Sequence, residues 1–145
     1  MNYGLKFCSH EIVARADSDD TCNPERFKLQ IEKFKDDLEL DICGSYIDEF
    51  ENSHIEILNT KKVPLNNEEI YRMAKFRNPI NHMTVMFKKE KILNIGSYKD
   101  LPYVEDYFLW VRAINEQLKF CNISQSLVYA RVGNGMISRR GNKKY

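Results

Sequence analysis

Hydrophobic and polar residues follow two different periods along this chain, and the change between them predicts alternating helices and strands. Between residues 24 and 38 the apolar residues recur at helical spacing, and Asn23 before Pro24 is typical of a helix start. The residues predicted to face the core from this helix are Phe27, Ile31, Phe34 and Leu38. Helices are predicted over 2–9, 24–38, 66–78, 88–94 and 105–118, and strands over 12–16, 41–50, 55–58, 83–87, 120–123 and 127–132. This alternation is typical of an α/β domain.

Two of the later helices carry additional local signals. Asn66, followed three residues later by Glu69, resembles a capping box and marks the start of a helix that ends before Pro79. In the helix over 105–118, the apolar face is predicted to consist of Phe108, Val111 and Leu118. These signals fix where the helices begin more firmly than where they end.

The most informative segment is the acidic loop after the first predicted strand, which holds Asp17, Asp19 and Asp20. Three carboxylates at the carboxyl end of a strand repel one another unless a cation lies among them. Hard divalent cations take oxygen ligands, and open α/β sheets bind ligands at this edge. The loop therefore indicates a divalent metal that carries phosphate oxygens. A solvated acidic turn that caps the next helix is the alternative, and it stays open.

Composition narrows the class of protein. The chain has 145 residues, enough for one domain with a substantial core, and its 22 basic and 21 acidic residues give a net charge of +1. Such a balance gives no indication of a nucleic-acid partner. No apolar run approaches the roughly 18 residues that a membrane span needs. The four cysteines are scattered without zinc-site spacing, which is typical of unpaired thiols in a reducing cytoplasm.

Four segments, in order, resemble one family. Residues 14–30 contain Ala-Arg-Ala-Asp-Ser-Asp-Asp, and residues 77–87 begin with Arg-Asn-Pro-Ile-Asn-His. Residues 105–112 begin with Glu-Asp-Tyr, and residues 127–140 end in a glycine-rich basic segment. The ordered set is similar to the family 2 glycosyltransferases that build bacterial polysaccharides. The resemblance implies an α/β fold, a partial GT-A (Rossmann-like) glycosyltransferase domain with a mixed sheet flanked by helices.

The resemblance starts after the strand–helix units that hold the nucleotide base in this family. At about 30 residues per βαβ unit, on the order of 60 to 90 residues would precede this chain. We therefore expect residues 1–145 to be a single domain, the C-terminal two-thirds of a glycosyltransferase catalytic domain. On this expectation the chain alone is weakly active or inactive.

The resemblance also implies a reaction and its residues. A sugar moves with inversion from a nucleotide-sugar donor to a glycan or lipid-linked acceptor, assisted by Mn²⁺ or Mg²⁺. Asp19 is the first candidate for the metal ligand, and Asp17 lies at the metal and near the sugar or ribose. Asp106 matches the base, with Glu105 beside it in the substrate site. Both acidic segments lie at strand-to-helix junctions, so we expect them to meet in one cleft. Without the resemblance, Glu105 and Asp106 would only complement a helix dipole.

Four further residues are candidates for substrate contact. Trp110 lies one turn after Asp106, where its ring would stack on a sugar or else belong to the core. His82 lies in the segment that lines the acceptor site in this family, although a lone histidine is often structural. Arg139 and Arg140 match the geometry of phosphate groups and would close over the diphosphate, unless they form a solvated tail.

The expected location is the cytoplasm, with peripheral association at the inner face of the cell membrane. Two alternative functions stay open. Asp17 and Asp19 also satisfy the D-x-D-x-T pattern of haloacid dehalogenase-like phosphatases, as nucleophile and acid/base. Arg15 in the preceding strand and the lack of a later G-D-x-x-x-D motif argue against that class. The other alternative is a non-catalytic fragment that forms a homodimer through an exposed sheet edge.

Overall fold

In the computed structural model, residues 1–133 are described, and they form one sheet with helices on both of its faces. The helices are α1 (Asn2–Leu5), α2 (Arg26–Asp36), α3 (Asn67–Met73), α4 (Lys89–Asn94) and α5 (Glu105–Asn115), with a 3₁₀ turn at His82–Thr84. The strands are β1 (Ile12–Ala14), β2 (Thr21–Cys22), β3 (Leu40–Phe50), β4 (Asn59–Lys61), β5 (Met86–Lys88) and β6 (Lys119–Arg131). The alternation of helices and strands is the predicted α/β pattern.

The strand order is β1-β5-β3-β6-β2, with β4 paired to β3 outside this path. The two longest strands, β3 and β6, run parallel at the centre, and the other pairs are antiparallel. The sheet is therefore mixed, as predicted. Neighbouring residues of β3 point to opposite faces: Ile42 packs in the larger core, with α3, α4 and α5, and Cys43 packs with Phe34 of α2.

The inner face of α2 differs from the predicted one. Phe27 and Leu38 are 51% and 80% exposed, whereas Arg26 and Gln30 are fully buried. Gln30 Nε2 donates to the backbone oxygens of Cys43 and Thr84 at 3.0 and 2.8 Å. Apolar periodicity misplaced this face because the helix holds strand backbone groups through polar side chains. Phe34 is buried as predicted.

The apolar face of α5 was also misplaced. Phe108 is 39% exposed and carries the Arg112 guanidinium over its ring, 5.0 Å from the centroid. The buried face is Leu109, Trp110 and Ala113. A cation that covers an aromatic ring keeps that ring at the surface. The predicted stripe was therefore wrong within the helix, whereas Leu118, just after the helix end, is buried as predicted.

Several element boundaries moved. The predicted strand over 55–58 is wrong, since the short strand there is Asn59–Lys61. The predicted strands over 120–123 and 127–132 form one continuous strand, β6, whose pairing with β3 has register shifts near Ser45 and Tyr46. The Asn66 cap is confirmed, because its side chain accepts a hydrogen bond from the Glu69 backbone N–H at 3.0 Å. Among the residues that the structure describes, no helix is long and apolar enough to cross a membrane.

Candidate active site

The acidic loop is anchored at its first residue, Arg15, which follows directly after β1. The Arg15 backbone N–H donates to Val85 O at 3.0 Å, and Arg15 O accepts from Arg26 Nη2 at 2.8 Å. Because Arg26 is fully buried, this second bond ties the loop to the interior. The start of the loop is therefore set by the fold.

The three aspartates of the loop have different surroundings. Asp17 accepts two hydrogen bonds from Arg15, at 2.8 Å from Nε and 3.0 Å from Nη2. Asp20 Oδ1 accepts from the backbone N–H of Arg131 at 3.0 Å, which ties the loop to β6. Burial, with the charges of Asp19 and Asp17, raises the pKa of Asp20. Asp19 is exposed. Asp20 therefore bonds to β6 and does not cap the helix that follows the acidic loop. Asp19 is open to a ligand.

Glu105 and Asp106 form the first turn of α5. The Asp106 side chain is 17% exposed, and its Oδ2 accepts a hydrogen bond from Asn78 Nδ2 at 2.7 Å. Glu105 Oε2 is buried, and among the residues described it has no hydrogen-bond partner. Backbone N–H groups at the start of a helix favour negative charge. Both carboxylates therefore lie near the positive end of the helix dipole of α5.

His82 lies between the acidic loop and α5. Its Nε2 is 3.1 Å from Arg15 Nη1 and 3.0 Å from the Tyr98 hydroxyl, and its Nδ1 is 3.8 Å from Asp106 Oδ2. A continuous polar chain thus runs from Asp17 through Arg15 and His82 to Asp106. The structure brings the two acidic segments together in one site.

The His82 ring is neutral at neutral pH. Its side chain is 12% exposed. Burial, reinforced by the charge of Arg15, lowers the pKa of His82 to about 4. The 3.8 Å approach to Asp106 is accordingly a contact between a carboxylate and a neutral ring, and we do not count it as an ion pair.

This pKa predicts a pH dependence of stability. The unfolded chain binds a proton at His82 below pH 6.5, whereas the folded chain does so only near pH 4. Between these values the unfolded state binds more protons, so the free energy of unfolding falls as the pH falls. The expected contribution of His82 is on the order of 3 kcal/mol at about 1.4 kcal/mol per pKa unit. Urea unfolding of wild type and His82→Gln at pH 7 and pH 4.5 measures it.

The His82→Gln variant should lose less stability on acidification than wild type, since glutamine does not titrate. His10→Gln is the matched control because His10 is exposed, and it should keep the wild-type dependence. Equal acid sensitivity of wild type and His82→Gln would show that His82 is not buried in its neutral form.

A cleft of about 590 Å³ opens beside this polar chain, between α1 and the loop over 98–105. Tyr3 and Tyr103 line it and are 74% and 76% exposed, and Glu105 forms part of its wall. Asn2 fixes one side, since its side chain exchanges two hydrogen bonds with the Tyr98 backbone, at 2.8 and 3.0 Å. The cleft thus combines exposed aromatic rings with a carboxylate, next to Asp106 in the chain.

Of the residues that the sequence predicted for substrate contact, one needs correction and two lie outside the described residues. Trp110 has no exposed surface, and its ring packs edge-on against His82 and Phe120 at 5.9 and 6.4 Å. An indole without an exposed face has nothing to offer a sugar ring, so Trp110 is a core residue, the other interpretation that the sequence left open. Arg139 and Arg140 lie outside the described residues.

The described part of the chain does not form a metal site by itself. Within residues 1–133, no three His, Cys, Asp or Glu side chains are grouped closely enough to hold a metal ion. Asp17 already faces the Arg15 guanidinium, which leaves the exposed Asp19 as the carboxylate best suited to a cation. One carboxylate fits a divalent ion whose other ligands are phosphate oxygens and water.

Sequence reasoning missed Arg15 as the central donor of this site, Tyr3 of the cleft, Asn78, and two tyrosines of the loop over 98–105, Tyr98 and Tyr103. A signal existed for Arg15, because a cation at the end of an apolar strand needs a partner. Asn78 belongs to the segment over 77–87, but the sequence analysis gave it no role. The two tyrosines come from a loop in which spacing carries no information about contacts.

Comparisons with known proteins identify the family of the chain. A family model described as glycosyl transferase family 2 matches residues 1–96. The chain is 39% identical to the amylovoran biosynthesis glycosyltransferase AmsE of Erwinia amylovora, over 100% of this chain and 54% of that protein. It is 37% identical to a UDP-Gal:alpha-D-GlcNAc-diphosphoundecaprenol beta-1,3-galactosyltransferase of Escherichia coli, over 100% of this chain and 52% of that protein. The chain thus spans about half the length of the curated relatives it matches.

Solved structures show the same fold. The crystal structure of S. aureus TarS 1–349 in complex with UDP matches with a TM-score of 0.64 at 20% sequence identity, over 91% of this chain and 39% of that chain. The likeness confirms the predicted α/β fold as a partial GT-A-type domain. Because the family model covers about two-thirds of the 145 residues, the chain belongs to glycosyl transferase family 2.

Proposed function

We propose that this chain forms the catalytic part of an inverting glycosyltransferase, which moves a sugar from a nucleotide-sugar donor to a hydroxyl group of a glycan or lipid-linked acceptor. The observation that carries the proposal is the polar chain from Asp17 to Asp106, which joins the acidic loop to the first turn of α5. Sugar transfer needs a diphosphate site and a base side by side. The two ends of this series of polar contacts, Asp17 and Asp106, are suited to these roles.

Asp106 is the base of the proposed reaction. The acceptor oxygen attacks the anomeric carbon, the bond from that carbon to the diphosphate oxygen breaks, and the hydroxyl proton passes to Asp106. The hydrogen bond from Asn78 at 2.7 Å holds one carboxylate oxygen and leaves the other for the acceptor. Asp106 lies in the first turn of α5, where backbone N–H groups favour negative charge.

Asp19 is the proposed metal ligand, and its exposure fits an ion that reaches the loop together with the donor. When bound there, Mn²⁺ or Mg²⁺ offsets the negative charge of the leaving diphosphate. Asp17 supports the loop through Arg15 and lies next to the donor. Asp20 holds the loop against β6 through Arg131.

The cleft beside α5 is the proposed sugar site. Aromatic rings present apolar faces to the C–H side of a sugar, and carboxylates accept hydrogen bonds from its hydroxyl groups. Tyr3 and Tyr103 supply the rings, and the Glu105 carboxylate in the wall of the cleft supplies an acceptor. These residues replace Trp110 as the proposed sugar contacts.

The relatives narrow the substrates within the proposal. One relative is named for UDP-galactose and a diphosphoundecaprenol-linked sugar, and the similar TarS structure contains UDP. We therefore put forward a uridine-diphosphate sugar as the donor and a prenyl-diphosphate-linked sugar as the acceptor. Such an acceptor brings the protein to the cytoplasmic face of the membrane as a peripheral protein. The edge strands β1 and β2 have only three and two residues. Such short strands offer few backbone groups for pairing with a second copy, so we do not propose a dimer through the sheet edge.

The phosphatase alternative is not favoured. It needs one Asp17 oxygen free for attack on phosphorus, whereas both oxygens accept hydrogen bonds from Arg15. The match to glycosyl transferase family 2 over residues 1–96 points to sugar transfer instead.

The metal and diphosphate site can be tested on this chain without turnover. Mn²⁺ with UDP should broaden the backbone NMR signals of the acidic loop, because the paramagnetic ion lies against Asp19. The Asp19→Ala variant should weaken this binding at least about tenfold, the lower end of the range for residues around a metal.

Asp20→Asn is the matched control, since asparagine keeps an oxygen that accepts from the Arg131 N–H. It should bind Mn²⁺ and UDP nearly as wild type does. A larger loss in Asp20→Asn than in Asp19→Ala would move the metal contact to Asp20. Broadening centred away from the loop would contradict the proposed donor site.

A further inference from the structure

The hydrogen bonds of Arg15 determine which nitrogen of His82 carries the proton. A guanidinium group has only donors, and Arg15 Nη1 is 3.1 Å from His82 Nε2. Nε2 must therefore offer its lone pair, and in a neutral imidazole the proton then lies on Nδ1. The Tyr98 hydroxyl, 3.0 Å from the same nitrogen, can donate to Nε2 in addition but cannot by itself fix the tautomer, because a hydroxyl also accepts.

The Nδ1–H of this tautomer faces the base. Nδ1 is 3.8 Å from Asp106 Oδ2, the oxygen that already accepts from Asn78. That distance is longer than a hydrogen bond, and such bonds often tighten only once substrate is bound. The two N–H groups approach the same carboxylate oxygen, so they leave Oδ1 for the acceptor hydroxyl.

Arg15 is itself held rigidly enough to transmit this arrangement. Its guanidinium is fixed by the two hydrogen bonds to Asp17, and its backbone is fixed by Val85 and Arg26. The His82 ring is packed edge-on against Trp110 in the core. Neither Arg15 nor His82 can turn away from its partner without breaking a contact that is at least partly buried.

We propose that Arg15 and His82 are positioning residues for the base: Arg15 holds His82 in the Nδ1–H form, and His82 aims this N–H at Asp106. The proposal rests on the proposed function of Asp106 as the base. It gives His82 a role through Asp106 in place of the direct substrate contact expected from the sequence. It also links the donor loop to the base through side chains alone.

The tautomer is the first test, and it needs no catalytic activity. Long-range ¹H–¹⁵N NMR of the 145-residue chain should show a protonated Nδ1 and an unprotonated Nε2 for His82. Arg15→Met should let Nε2 become protonated, because Tyr98 can then accept from it. A protonated Nε2 in wild type, or an unchanged His82 signal in a folded Arg15→Met variant, would overturn the proposal.

The second test compares replacements of His82 in sugar transfer. Asparagine places an amide N–H₂ near the position of Nδ1, whereas glutamine reaches toward Nε2 and phenylalanine donates nothing. His82→Asn should keep kcat within about threefold of wild type, whereas His82→Gln and His82→Phe should lose about ten- to hundredfold, as for one hydrogen bond to a charged group. The KM for the donor should change little. His10→Asn, at an exposed position, is the control.

Equal losses in all three His82 variants would mean that the ring acts only as packing, and the proposal would fall. Sugar transfer is measured in a form of the protein that includes the nucleotide-base site, because the 145-residue chain alone is expected to be weakly active or inactive. If that form transfers no sugar, the proposed function fails instead, and the NMR result decides the hydrogen-bond arrangement alone. The two failures are therefore distinguishable.

Discussion

Replacement of Asp106 by asparagine, in a form of the protein that includes the nucleotide-base site, should lower kcat for sugar transfer about a hundredfold or more, as expected when a general base is lost. Asparagine has nearly the same size and still accepts the hydrogen bond from Asn78, so the start of α5 should remain folded. The amide cannot take the proton of the acceptor hydroxyl, however. Donor binding should change little, because the diphosphate site lies at the acidic loop. Initial rates over a range of acceptor concentrations, with a separate binding measurement for UDP, check both statements.

Asp36→Asn is the matched control for this prediction. Asp36 is the last residue of α2, on the other face of the sheet from α5. The Asp36→Asn substitution removes the same charge without touching the site. The kcat should therefore stay within about twofold of wild type, consistent with the small effects of surface substitutions. A wild-type rate in Asp106→Asn would remove Asp106 from the mechanism and would leave Glu105 as the carboxylate to examine.

The fold class could be predicted from the sequence because the helical and the strand period of apolar residues do not depend on the details of packing. What failed was the assignment of helix faces. Arg26 and Gln30 are fully buried, and a hydropathy pattern assigns such residues to the surface. Their burial is stable only because each donates to a carbonyl oxygen that lies far away in sequence, such as Arg15 O or Thr84 O. No local spacing encodes those partners.

The residues of the site also divide into those that the local sequence identifies and those that it does not. The acidic residues of the loop and of α5 were identifiable from the motifs that resemble the family. The prediction that both lie at strand-to-helix junctions was wrong, because the loop lies between β1 and β2, and α5 follows α4. Arg15 and Tyr98 were not identifiable, because their roles come from contacts with His82 across 67 and 16 residues. The sequence also placed Trp110 in the site by helical spacing alone. That spacing could not show which side of α5 faces the core, and the structure puts Trp110 there.

The segment that carries His82 is held in place by a close approach of two strands. Asn122 of β6 donates from Nδ2 to the backbone oxygens of Pro64 and Pro79, at 2.6 and 3.2 Å. Its side chain passes directly over Gly44 of β3, where a methyl group would lie 2.3 Å from Asn122 Oδ1. Glycine at position 44 therefore lets the chain after Pro79 pack against the sheet. A defect at this point would displace the turn that holds His82.

We expect Gly44→Ala to lower the free energy of unfolding by about 2 kcal/mol or more, in the range for overpacking of a well-packed core. Neither neighbour can move without loss. Asn122 is held by its two carbonyl partners, and Thr84 Oγ1, 3.3 Å from the added methyl, accepts from the Ser45 backbone N–H at 2.9 Å. Urea unfolding followed by circular dichroism measures the change, and a constant m-value would show that the unfolded state is unaffected.

Gly4→Ala is the matched control, because a methyl group at Gly4 meets no atom within 4 Å. It lies in α1 and should be neutral or slightly stabilising, since alanine favours a helix over glycine. A double-mutant cycle with Asn122→Ala locates the clash. Asn122→Ala should destabilise the chain by itself, because it leaves two carbonyl oxygens without their donor, but it also removes the atom that the new methyl meets. The combined variant should therefore lose clearly less than the sum of the single losses. Additive losses would place the strain of Gly44→Ala elsewhere, and a Gly44→Ala variant as stable as Gly4→Ala would show that β3 and β6 can separate at this point without cost.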